Sequence, residues 1–113
     1  VPDSLNYAEI IKKISNDSMR QYNPKRIMEK IPLDRIIKHI PDFTAETLDD
    51  LRHILLSIDY NELSEETLTS IKQFKDDISS LLTEEGIDLD CIKKLQIRWI
   101  CDAINRNTEG NSE

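Results

Sequence analysis

A chain of 113 residues, 38% apolar and 33% charged, is the size of one ordinary domain and can bury a core without disulfides or metal. Its 22 acids against 15 bases leave a net charge of −7, which argues against a non-specific nucleic-acid or anionic-membrane surface, since such surfaces are basic. Two glycines, no Asn-Gly or Asp-Gly pair and no sustained alternation of apolar with polar residues favour an all-α fold over sheets joined by tight turns.

Val1-Pro2-Asp3 reads as a loose start, and Val1 as a cut boundary rather than a native terminus. Ser4 or Asn6 can cap a first helix whose apolar face is Tyr7, Ile10, Ile11 and Ile14. The Ser15-Asn16-Asp17-Ser18 run competes for backbone hydrogen bonds, so this helix should end between Asp17 and Tyr22. Asn23-Pro24 restarts the chain, because proline is tolerated at a first helical position, and a short helix follows to Lys30 with Ile27, Met28 and Ile31 on one side. Pro32 opens another, presenting Leu33, Ile36, Ile37 and Ile40, and Pro41 closes it. Residues before proline avoid the helical region, which makes Ile31 and Ile40 boundaries.

Thr44 is the expected cap of the next helix, with Glu46 favoured in its first turn and Phe43 placed to staple onto Leu48. Its seam is Leu48, Leu51, Leu55 and Ile58, widened by Ile54. Asp59-Tyr60-Asn61 interrupts the pattern. Ser64 caps the longest helix, with Glu65-Glu66 at its positive end and a seam of Leu68, Ile71, Phe74 or Lys75, Ile78 and Leu82, with Leu81 beside it. Gly86 is expected as a left-handed cap at the far end, and Asp88 or Asp90 caps the last helix. The spacing therefore predicts a compact, irregular or orthogonal bundle of five or six helices, one domain over 1–107, with a disordered polar tail at 108–113. The unequal helices between Pro24 and Pro41 argue against a simple up-and-down four-helix bundle. Leu51, Leu55, Leu68, Ile71, Ile78 and Trp99 are the expected core.

The last helix, Asp88 to Asn107, is apolar around too much of its circumference. On a wheel, Leu89, Leu95, Ile97, Trp99, Ile100, Cys101, Ala103 and Ile104 cover roughly 240°, where a surface helix needs only about 100°. Lys94, Arg98, Asp102 and Asn105 form the polar stripe. With Trp99 taken as the centre of the arc, Ile97, Cys101 and Ile104 lie on its edge. They are expected to be more exposed than Leu95 and Trp99 and to form part of a partner or self-association site.

Sites of chemistry are sparse. Asp49-Asp50, Asp76-Asp77 and the Glu84-Glu85, Asp88, Asp90 group around Gly86 lack the alternating oxygen ligands and closing Glu of a calcium loop, and read as solvated helix ends and caps. Cys91 and Cys101, ten residues apart in one helix, lie about 15 Å apart along its axis, beyond disulfide reach. They read as reduced, small core residues, which fits an intracellular chain, cytoplasmic or nuclear. Neither stands at zinc-ligand spacing with His39 or His53, the two histidines. A catalytic pairing of Cys91 with either histidine has no local signature, so no enzyme activity and no cofactor is expected. No apolar run approaches the ~20 residues of a membrane span.

The reading that follows is a non-catalytic protein–protein interaction module of a larger protein, holding a partner's helix or short peptide in an apolar groove. One alternative is a nucleic-acid-associated regulatory domain using the basic region Lys25, Arg26, Lys30, Arg35 and Lys38. Another is a self-associating structural module.

Within Leu33 to Leu82, Ile54-Leu55-Leu56-Ser57-Ile58-Asp59 and Asn61-Glu62-Leu63 resemble the Leu-Leu-Glu helix, and the turn after it, of the peptide-binding domain at the end of poly(A)-binding proteins. The Lys-Ile-Thr-Gly signature preceding this run in that family is absent here, Asp50-Leu51-Arg52-His53 standing in its place, and the segment between the two later helices is too short. No binding residue is carried across.

Overall fold

The computed structural model describes residues 3–17 and 23–109. Among them the chain is all-α, without a strand. The helices are α1 (Asp3–Asn16), α2 (Pro24–Lys30), α3 (Leu33–Ile36), α4 (Ala45–Ser57), α5 (Glu65–Leu81) and α6 (Cys91–Glu109), with 3₁₀ segments at Ile37–Asp42 and Tyr60–Glu62. Their lengths run from a single turn to 19 residues, which gives an irregular bundle.

Four helix starts follow from one side chain each. Asn23 Oδ1 accepts the Arg26 N–H at 2.9 Å, Thr44 Oγ1 that of Thr47 at 3.1 Å, Ser64 Oγ that of Thr67 at 3.2 Å and Asp90 Oδ1 that of Lys93 at 2.8 Å. Each closes one of the N–H groups that a helix start leaves open. Helix α1 already includes Asp3, so that residue is not loose, and the helix ends at Asn16, one residue short of the expected range. Val1-Pro2, Ser18–Tyr22 and residues 110–113 lie outside the described residues.

Three local expectations need correction. An α-helix reaching Pro41 would set its ring against the Ile37 carbonyl. The chain instead tightens into 3₁₀ geometry at Ile37 and carries Pro41 within it to Asp42, where Phe43 N–H bonds Ile40 O at 3.1 Å. Gly86 does have a left-handed φ of +86°, but α5 has ended five residues earlier. The open carbonyls of α5 are met by 3₁₀ bonds, Leu82 N–H to Ser79 O and Thr83 N–H to Ser80 O, so no left-handed cap is needed. At the other end of the sequence, 108 and 109 are helical rather than frayed, and Thr108 Oγ1 donates to Ile104 O at 2.8 Å.

One continuous core draws on every helix. Ile11 and Ile14 enter from α1, Ile27 from α2, Ile36 from α3, Leu48, Leu51, Ile54 and Leu55 from α4, Ile71, Phe74 and Ile78 from α5, and Ile97, Ile100 and Ile104 from α6. The expected core residues Leu51, Leu55, Ile71 and Ile78 are fully buried, whereas Leu68 is only half-buried and Trp99 is 43% exposed. Helix α6 packs most extensively on α4 and next on α5, while α1 covers α4 from elsewhere. Polar links mark these seams. Lys75 Nζ on α5 reaches Asn105 Oδ1 at 2.9 Å, Lys93 Nζ reaches Pro41 O at 3.0 Å, and Ser15 Oγ on α1 meets Asp50 Oδ1 at 3.4 Å. The Tyr60 hydroxyl, buried, donates to Leu55 O at 2.7 Å and so satisfies one of the carbonyls that the end of α4 leaves open.

Candidate functional site

The broad apolar arc of α6 resolves into two rows at the same spacing. Ile97, Ile100 and Ile104 form one, at i, i+3 and i+7, and turn inward with Ala103. Ile92, Leu95 and Trp99 form the other, also at i, i+3 and i+7, and face out at 61%, 43% and 43% exposure. The expectation of exposure at Ile97, Cys101 and Ile104 is therefore overturned. Ile97 and Ile104 are completely buried, and Cys101 is half-buried against α5, its thiol 3.8 Å from Lys75 O. The reason lies on the wheel: a helix buries the side opposite its polar stripe. Ile100, not Trp99, lies nearly across from the middle of the Lys94, Arg98, Asp102, Asn105 stripe. Centring the core on that residue was the signal available in the sequence.

The outward row is the largest feature the core does not use. Among the described residues there are four exposed large apolar side chains, and three of them are Ile92, Leu95 and Trp99. Scattered single apolar residues on a surface need no explanation, but a row on one helix face does. On its α4 side the row is bordered by Arg52, whose guanidinium lies 5.7 Å from the centre of the Trp99 ring and 3.4 Å from Asp49 Oδ1. That stacking contributes about 0.5–1 kcal/mol at an exposed site and holds the indole in one orientation. Lys94 and Arg98, each one residue before a member of the row, and Arg106, two turns beyond Trp99, are exposed.

A cleft of about 560 Å³ lies apart from this row, between the α2–α3 segment and α5. Asp34, Glu66 and Asp77 line it with Thr67, Thr69, Ser70 and Gln73. Its apolar lining joins the buried Ile31, Leu33 and Phe74 to the half-buried Met28 and Pro32, whereas the side chains of the α6 row are exposed outright.

No family model, no curated protein and no solved structure matches this chain.

The remaining candidates stay apart. The His39 ring sits 5.3 Å from that of Tyr7 and is half-buried, while His53 is exposed on α4. Cys91 is exposed at the start of α6, and among the described residues no hydrogen bond joins it to either histidine. Burial pushes the Cys101 thiol above its ordinary pKa, the neighbouring Asp102 carboxylate adding to the effect. Burial likewise raises the Asp50 carboxyl, against the Ser15 hydrogen bond. The acid groups act locally: Asp90 caps α6 and Asp77 accepts from Gln73 Nε2 at 2.9 Å. Among the described residues no group of three His, Cys, Asp or Glu side chains could hold a metal, and no helix is long and apolar enough to cross a membrane. Lys25, Arg26, Lys30, Arg35 and Lys38 are all exposed, but Glu29 and Asp34 lie exposed among them and break up the basic patch.

Proposed function

We propose that this chain is a protein–protein interaction module that presents the Ile92, Leu95 and Trp99 row of α6 to a helix of another protein. The observation that carries the reading is the division of α6: one isoleucine row is spent on the core while a second apolar row of identical spacing is left in water. Leaving Trp and two large aliphatics exposed costs transfer free energy that burial against a partner recovers, and Trp is enriched among the residues that dominate interfaces. The row runs from Ile92 to Trp99, about 10 Å along the axis, which matches two turns of a partner helix with anchors at i, i+3 or i+4 and i+7. Compared with the α2–α3/α5 cleft, the row offers apolar surface that is not already covered.

The test compares the chain with a Leu95→Asp variant as bait and in solution. The variant should melt within a few degrees of the parent, because Leu95 is already 43% exposed. It should also lose partners that the parent retains, and direct binding of each recovered partner should show the same loss. Identical binding by both proteins refutes the assignment of the row as the docking face. Light scattering on the same samples separates this reading from self-association.

A further inference from the structure

We infer that the segment docking on the Ile92–Leu95–Trp99 row is an acidic amphipathic helix, an inference that rests on the interaction reading above. Helix α6 carries four bases, Lys93, Lys94, Arg98 and Arg106, against Asp102 and Glu109, a balance of +2 in a chain whose total is −7. Lys93 is engaged with the Pro41 carbonyl. Lys94, Arg98 and Arg106 are exposed and make no ion pair among the described residues, whereas Lys12 pairs with Glu46 and Arg52 with Asp49. Among the described residues the exposed apolar row thus lies on a helix of net positive charge in a net acidic chain, opposed locally by Asp102 and by the already paired Asp49. A helix carrying three apolar anchors with Glu or Asp beside them satisfies both features. Such charge complementarity fixes orientation and speeds encounter.

Two other occupants fit less well. A second copy of the chain would bring the same cations face to face. It would also offer on the order of 300 Å² of apolar surface per protomer, where a stable interface needs about 800 Å² per partner. An anionic lipid surface is wide enough to meet the rest of the chain, whose charge without α6 is −9, the difference between −7 and +2, and would be repelled by it.

The experiment titrates the whole chain with two synthetic helical peptides that share an Ala framework and Leu at i, i+3 and i+7. One carries Glu at the flanking positions and the other Lys, and binding is followed by emission of the single tryptophan, Trp99. The Glu peptide should bind about tenfold tighter than the Lys peptide at low salt, the sum of a few exposed charge contacts. The difference should shrink as salt rises. A Lys94→Glu, Arg98→Glu double variant should reverse the preference while leaving the helical circular dichroism spectrum unchanged. Equal binding of the two peptides, preference for the Lys peptide or binding of neither overturns the inference, and so does tighter binding to phosphatidylserine vesicles or to duplex DNA than to the Glu peptide. The wild-type pair measured across salt keeps the test decisive if the double variant does not fold. If both peptides bind equally and Leu95→Asp abolishes both, the charge inference fails alone and the interaction reading stands. If neither peptide binds and Leu95→Asp changes no partner, both fall.

Discussion

Ile92 and Ile97 are the same residue type, five positions apart on α6, with 61% and 0% of their surface exposed. Truncating each to alanine removes the same three carbons and changes helix propensity in the same favourable direction, by a few tenths of a kcal/mol. Any difference between the two variants therefore reports burial. At Ile97 each lost carbon forfeits about 0.8 kcal/mol of transfer free energy, and the cavity between α4, α5 and α6 adds to this. The total falls in the range of about 2–5 kcal/mol seen for buried Ile→Ala changes. At Ile92 most of that surface is already in water and no cavity forms, so the cost should stay below about 0.5 kcal/mol. Urea unfolding followed at the helical circular dichroism band measures both, and an unchanged m-value would license the comparison. In a thermal scan Ile97→Ala should melt roughly 8–20 °C below the parent, at about 4 °C per kcal/mol for a domain of this size. Equal stability of the two variants would refute the inward assignment of the Ile97, Ile100, Ile104 row and with it the choice of docking face.

Three further outcomes follow from single features. Burial raises the Tyr60 phenol above its ordinary pKa of 10.0. The folded state therefore keeps a proton that the unfolded state releases, so stability is intact below that pH and falls by about 1.4 kcal/mol per unit above it. Tyr60→Phe should flatten this alkaline slope while costing about 1 kcal/mol at neutral pH through the lost bond to Leu55 O, both read from urea melts across pH. Under native conditions a thiol reagent should modify exposed Cys91 well before half-buried Cys101, whose pKa is raised, and comparable rates, measured by mass spectrometry of the two peptides, would contradict the packing of α6 on α5. Gly86→Ala should destabilise by about 1 kcal/mol purely through its φ of +86°, since nothing lies within 4 Å of an added Cβ, and Gly86→Asn should recover part of the loss in the same melt.

Features set by one or two neighbouring residues were readable from the sequence. Thr44 and Ser64 cap the helices expected of them, and Asp90, one of two candidates, caps α6, because a cap bonds an N–H only three residues away; Ser4 and Asn6 instead lie inside α1, which includes Asp3. The seam residues Leu51, Leu55, Ile71 and Ile78 were legible for the same reason, since each of their helices has one apolar side. Helix α6 was harder because it has two equivalent apolar rows. Its facing is fixed by the approach of α4 and α5, and its Lys93 reaches back 52 residues to Pro41 in the 3₁₀ segment before α4. Gly86 misled in another way: glycine signals a positive φ, but not which bend requires it. The cationic flank of the outward row became meaningful only once that row was known to face out.

The placement of α6 also bears on synthesis. A ribosome makes this chain from its amino end, so α1 to α5 emerge before Cys91. Until α6 follows, Leu51, Leu55 and Ile71 lack the isoleucines that complete their shared core. The nascent chain therefore carries an open apolar trough between α4 and α5, a surface that chaperones recognise and that favours aggregation. Closure waits for α6, and the residues that seal the trough, Ile97, Ile100 and Ile104, share that helix with the exposed Ile92, Leu95 and Trp99. Assembly of the domain and presentation of the outward row are thus a single event, and a chain cut off before α6 would have neither.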